Sequence, residues 1–164
     1  MGTRLATVQY NMVQVYAVCS LLNNIDILCV MPTGSGKTIV IFVFALCARK
    51  RNPKAIVVVG QPLSALIAEQ HHNPLKVPVL SLSMGGQLRG SSLESPSPGG
   101  VVSKEVTIAE ACCGAYAVFF GHPEAFDSKP GQEILRQMAR EEIICAVVLD
   151  EVHQGLEGNK RRLN

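Results

Sequence analysis

The run Met31-Pro-Thr-Gly-Ser-Gly-Lys-Thr38 is the feature that most constrains what this chain of 164 residues can fold into. It lies between a short apolar run, 26–31, and a longer one, 37–49. Glycines at 34 and 36 permit the left-handed backbone that turns consecutive N–H groups toward one point. A helix starting at Lys37 would add the positive end of its dipole at the same point. Such a loop works only between a strand and a helix. The spacing therefore predicts a buried strand over 26–31, a glycine turn over 32–36 and a helix from Lys37, with an anion cradled between them. Thr33, Gly34, Ser35, Gly36, Lys37 and Thr38 would surround that anion. Lys37 is suited to the terminal phosphates of a nucleotide as a point charge, and the Thr38 hydroxyl to Mg²⁺.

The chain has five Phe, three Tyr and no Trp, yet is 48% hydrophobic and only 17% charged. Its core must be built from Val, Ile, Leu and Ala, as in a parallel sheet covered on both faces. This composition excludes a disordered chain, and the length suits one domain spanning 1–164. Short β-rich runs alternate with helical patterns, which is the signature of βαβ units and an α/β fold. Further strands are expected at 55–60, 77–82, 116–120 and 143–149. Helices are expected at 37–49, 62–72, 102–112 and 131–142, and before them at 11–22, capped by Asn11 with Gln14 three residues on and stopped by Asn23-Asn24. From Met84 to Gly100 the composition turns to Gly, Ser and Pro, predicting a flexible loop inside the domain.

Net charge is +2, which neither demands nor excludes a nucleic-acid partner. The six cysteines contain no Cys-x-x-Cys pair and read as reduced core residues. The most apolar stretch, Ile39 to Ala48, is too short to cross a bilayer, and no clean signal-peptide pattern opens the chain. A soluble, intracellular protein without a membrane partner is expected.

A second apolar run, 143–149, ends in Asp150-Glu151-Val-His153. In open parallel sheets ligands bind beyond the carboxyl ends of the strands, so the loop at 32–38 and these carboxylates should face one site. Asp150 would hold Mg²⁺ directly or through water, and Glu151 would orient or deprotonate an attacking water. His153 reads either as part of this site or as an ordinary surface histidine. The basic groups Arg49-Lys-Arg51 and Lys160-Arg-Arg162 read as a solvated helix end and a tail. His71-His72 and Glu141-Glu142 lack spaced partners for metal or acid–base work.

Met-Pro-Thr-Gly-Ser-Gly-Lys-Thr with Asp-Glu-Val-His resembles motifs I and II of superfamily 2 helicases. Within them the chain resembles the RecQ-like DNA helicases. Gln61-Pro-Leu-Ser-Ala-Leu-Ile-Ala-Glu-Gln70 is similar to their motif Ia, His122-Pro-Glu124 to the Pro-Glu element of motif Ib, and Tyr10-Asn-Met-Val-Gln14 to their motif 0. DEAD-box RNA helicases fit less well, because their Pro-Thr-Arg-Glu-Leu stretch is absent and His153 stands where they have a final Asp. The chain departs from the RecQ-like pattern at Asn11, Gln61 and His122, and in the Gln154-Gly-Leu that follows His153.

The resemblance implies a RecA-like P-loop domain, with a mostly parallel central sheet flanked by helices on both faces, acting as the first motor domain of an ATP-dependent DNA helicase. ATP and Mg²⁺ are its implied ligands. Lys37, Asp150, Glu151 and His153 would be catalytic, Gln14 would read the adenine edge, and Gln61, Pro62, Ser64, His122, Pro123 and Glu124 would meet nucleic acid. The full enzyme would track 3′ to 5′ on single-stranded or forked DNA in the nucleus or nucleoid. The chain ends before the Ser-Ala-Thr motif and the second RecA-like domain with its arginine finger, so weak turnover in isolation is expected. Two alternatives remain at this point, a nucleotide- or DNA-binding module without turnover and an RNA-directed superfamily 2 ATPase.

Overall fold

The structure, a computed structural model, describes residues 11–32, 34–62, 64–73, 75–91 and 103–150. Asn11 opens helix α1 (Met12–Leu22) with a reciprocal cap, its side chain accepting from the Gln14 N–H while Gln14 Oε1 accepts from the Asn11 N–H. Asn24 ends the helix in the left-handed region at φ 57°. Helix α2 (Lys37–Arg51) follows the glycine turn. The chain then forms β1 (Ile56–Gly60), α3 (Ser64–Gln70), β2 (Val79–Leu82), β3 (Leu88–Ser91) and β4 (Ser103–Glu105). It continues through α4 (Ile108–Cys112), β5 (Val118–Gly121), α5 (Pro123–Asp127), α6 (Lys129–Arg140) and β6 (Ile144–Leu149).

The six strands lie in the order β4-β3-β2-β5-β1-β6. β1 pairs in parallel with β5 and β6, and β2 in parallel with β5, whereas β3 and β4 join as antiparallel edge strands. Successive side chains of a strand point to opposite faces, so the fully buried β1 feeds two cores. Val57 and Val59 join Val79, Val118 and Phe120 beneath α1 and α2, with Phe42 and Phe120 in edge-to-face contact. Ile56 and Val58 join Leu80 and Phe119 under α4 and α6, where Ile134 and Met138 are fully buried. The α/β sandwich expected from the sequence is therefore present, mostly parallel and covered on both faces.

Three local expectations need correction. Residues 26–31 form no ladder with any described strand. Their burial still alternates, with Ile27 and Cys29 packed on the first core while Leu28 and Val30 are each 86% exposed, so the side-chain pattern is that of a strand lacking a hydrogen-bonded neighbour. The loop expected over 84–100 gives way at 88–91 to β3, which pairs with β2 through a turn at 83–87 in which Gly86 has φ 81°. The remaining 92–102 lies outside the described residues. The helix expected over 102–112 is confined to α4, because β4 takes 103–105 and Thr107 caps the helix with Glu110 in a reciprocal box.

Candidate functional site

The turn between Met31 and α2 has the backbone its glycines were expected to give. Gly34 (φ 77°) and Gly36 (φ 84°) are both left-handed, and Gly36 is the N-cap of α2. Gln14 secures this turn from α1. Its side chain is buried, and while Oε1 serves the α1 cap, Nε2 donates to the carbonyls of Ser35 (3.0 Å) and Gly36 (3.4 Å). Both amide atoms are thus occupied by the protein, and the side chain acts as a strut between α1 and the loop. Lys37 Nζ donates to the Met31 carbonyl at 3.2 Å, folded back across the turn where a phosphate would compete for it. Ser35 Oγ donates to the Pro32 carbonyl at 2.6 Å. Thr38 is the second residue of α2, and Thr33 lies outside the described residues.

The carboxylate half of the site begins where β1 and β6 end. The Asp150 N–H donates to the Gly60 carbonyl at 2.9 Å, and the Gln61 N–H to the Gly121 carbonyl at 2.9 Å, so both residues continue the ladder one step past the strands. Gln61 was expected to touch nucleic acid. It is instead 2% exposed, with Nε2 donating to Asp150 Oδ2 at 3.3 Å, because its place in the ladder turns it inward beside β6. Glu151 and His153 lie outside the described residues.

The residues fit Mg²⁺ bound together with a nucleotide. A carboxylate and a hydroxyl are hard oxygen donors of the kind Mg²⁺ takes, and the buried Gln61 carboxamide beside Asp150 keeps an Oε1 with no hydrogen-bond partner among the described residues. Among those residues no group of three or more His, Cys, Asp or Glu side chains gathers to hold a metal alone. A cation here would depend on substrate phosphates for the rest of its shell.

Of the other expected contacts, His122 caps α5, its Nδ1 accepting from the Glu124 N–H at 3.3 Å, with Pro123 at the first turn. Pro62 leads into α3, which Ser64 opens. His122 also lines a cavity of about 400 Å³ at the ends of β2 and α3, together with His71, Ser81, Ser83 and Arg89. No carboxylate lines it among the described residues. Burial, and then the neighbouring charge of His72, hold His71 below the usual histidine range. Its Nε2 lies 3.0 Å from Ser81 Oγ, that hydroxyl also reaches the Arg89 carbonyl at 3.4 Å, and the buried Nδ1 has no hydrogen-bond partner among the described residues. Neither this cavity nor the place of Gln61 was foreseen from the sequence. The only hint was His71-His72 at the end of α3, and nothing in one sequence reveals what a side chain faces across a sheet.

A family model for DEAD/DEAH box helicases matches residues 11–163. The chain belongs to the DEAD/DEAH box helicase family. The comparison with curated proteins returns no match. As a DEAD/DEAH box helicase domain the chain is an ATP-binding helicase motor module, and its mostly parallel sheet carries helices on both faces. Among the described residues, no helix of this helicase domain is long and apolar enough to cross a membrane.

Proposed function

We propose that this chain is the first motor domain of a RecQ-like helicase, which binds ATP with Mg²⁺ and, in the full-length enzyme, couples its hydrolysis to DNA unwinding by 3′–5′ movement on single-stranded or forked DNA. The observation that carries the nucleotide half is the left-handed backbone at Gly34 and Gly36 ahead of α2, with Lys37 folded onto the loop and available to an incoming phosphate. The RecQ-like assignment rests on Met31-Pro-Thr-Gly-Ser-Gly-Lys-Thr38, Gln61 to Gln70 and Asp150-Glu151-Val-His153. A nuclear or nucleoid location, and a second RecA-like domain as partner, belong to the same reading.

The residues divide the work. N–H groups of the turn and Lys37 bind phosphate oxygens. Thr38 and Asp150 hold the cation, which when bound supplies the positive charge that offsets charge developing on the transferred phosphoryl group. Glu151 orients the water, and His153 relays the state of the site to nucleic acid. Gln14 would reach adenine by giving up its bonds to the loop, which would make base recognition and loop geometry interdependent. Phosphates of the strand would meet Ser64, His122 and the Pro123-Glu124 turn beside the cavity rimmed by Arg89.

Titration of a fluorescent ATP analogue with Mg²⁺ into the wild-type chain and Lys37→Ala tests the site. Removing one charged phosphate contact, worth about 1.5–3 kcal/mol, should weaken binding roughly ten- to a hundredfold. Equal affinities would overturn the assignment. Binding competition between single-stranded DNA and RNA of one sequence tests the substrate class, and preference for RNA would favour the RNA-directed reading.

A further inference from the structure

The placement of Gln61 assigns it a task that no motif predicts. Its side chain is 2% exposed at the carboxyl end of β1, the strand between β5 and β6. The amide is oriented with Nε2 donating to Asp150 Oδ2 at 3.3 Å, whereas a flipped Oε1 would bring two acceptor oxygens together. With Nε2 on the carboxylate, Oε1 is buried without a hydrogen-bond partner among the described residues. A buried carbonyl oxygen left unbonded opposes folding, and in a native protein such a group calls for a ligand or a water to complete it. The donor that would arrive beside Asp150 is a water in the hydration shell of a divalent cation, because Mg²⁺ keeps most of its waters when a protein binds it.

We propose that Gln61 is a positioning residue for Mg²⁺, with its Nε2–H fixing the Asp150 carboxylate and its buried Oε1 accepting a hydrogen bond from a cation-bound water. The inference rests on the nucleotide-site reading above and adds to it a residue whose expected role was contact with nucleic acid. Partners that orient a ligating carboxylate typically change metal affinity ten- to a hundredfold when removed.

The test is Gln61→Met, which preserves side-chain length and apolar packing and removes both polar atoms. Affinity for the fluorescent ATP analogue is measured over a Mg²⁺ titration and in EDTA, with Mn²⁺ binding followed by electron paramagnetic resonance and unfolding by urea without metal. The expected result is a ten- to a hundredfold rise in half-saturating Mg²⁺ and a matching loss of Mn²⁺ affinity. Nucleotide affinity in EDTA should stay within about twofold and unfolding should be no easier than in the wild type, since the unbonded oxygen is gone. Easier unfolding with unchanged Mg²⁺ dependence would make Gln61 merely structural and overturn the proposal. Gln61→Asn, which retains the amide on a shorter arm, should recover part of the metal affinity. If wild type and Lys37→Ala bind the analogue equally, the nucleotide-site reading itself falls and this inference with it. If they differ while Gln61→Met tracks wild type, only the inference falls.

Discussion

At the scale of single residues, Arg49 shows how a charge that reads as solvated can hold the fold. Its Nη1 donates to the Tyr116 carbonyl at 2.8 Å and the Ala55 carbonyl at 3.4 Å, and its Nη2 to the Gly114 carbonyl at 2.6 Å. One guanidinium thus ties the end of α2 to the approaches of β1 and β5, and Arg51 adds a bond to the Leu22 carbonyl at the end of α1. Lysine lacks the planar fork and cannot serve separated carbonyls at once. Arg49→Lys should therefore destabilise the chain by about 1–2 kcal/mol and Arg49→Ala by about 2–3 kcal/mol in urea unfolding, while Lys50→Ala, whose residue is exposed, changes little. His71 gives a second prediction. Its pKa is lowered by burial and then by His72, so the unfolded chain binds more protons in the window below the ordinary value of 6.5. Stability from this group is present above 6.5 and is lost as pH falls from there through the lowered folded value. Unfolding free energies measured from neutral pH to about pH 5 should fall in the wild type and flatten in His71→Asn.

At the scale of elements, the glycine turn ahead of α2 was legible in sequence because glycine positions and a helix start are local signals. The cap of α1 by Asn11 and Gln14 was legible for the same reason. What Gln14 does beyond its cap was not, since its bonds to Ser35 and Gly36 join segments more than 20 residues apart. The two glycines of the loop separate these contributions. A Cβ on Gly34 meets open space, so Gly34→Ala carries only the cost of a left-handed backbone, about 1–2 kcal/mol. A Cβ on Gly36 would lie 2.7 Å from Gln14 Nε2, so Gly36→Ala adds the displacement of the strut. Gly36→Ala should be the more damaging by about 1 kcal/mol, and that excess should vanish in a Gln14→Ala background. A double-mutant cycle by urea unfolding measures the coupling, and additive losses would mean that the strut does not bear on the loop.

For the whole molecule, the sheet's centre was readable and its margins were not. β1, β2 and β5 are buried apolar runs written in Val, Ile, Leu and Phe, and the edge strand β6 was readable as an apolar run although its residues are half-buried or exposed, whereas β3 hides in a Gly- and Ser-rich segment and β4, Ser103-Lys104-Glu105, has no apolar residue. The expected strand at 26–31 failed for the converse reason, having the apolar residues and the alternating burial but no described neighbour to bond. The two margins consequently differ in character. β4 is short, exposed and charged, the usual protection of a sheet edge. β6 is six residues long and pairs only with β1 among the described strands, and Val147 is 69% and Leu149 63% exposed. Leu28 and Val30 add further exposed apolar surface. An apolar edge with no second neighbour among the described strands offers its backbone groups to another chain, so this protein should self-associate as its concentration rises. Val147→Lys places a charge on that strand at a site where substitution costs little stability, and should shift light-scattering mass toward the monomer, while Ser103→Lys on the already charged β4 should leave the mass unchanged. If Leu28→Lys removed the association and Val147→Lys did not, the exposed stripe before the glycine turn, rather than the β6 edge, would be the adhesive surface.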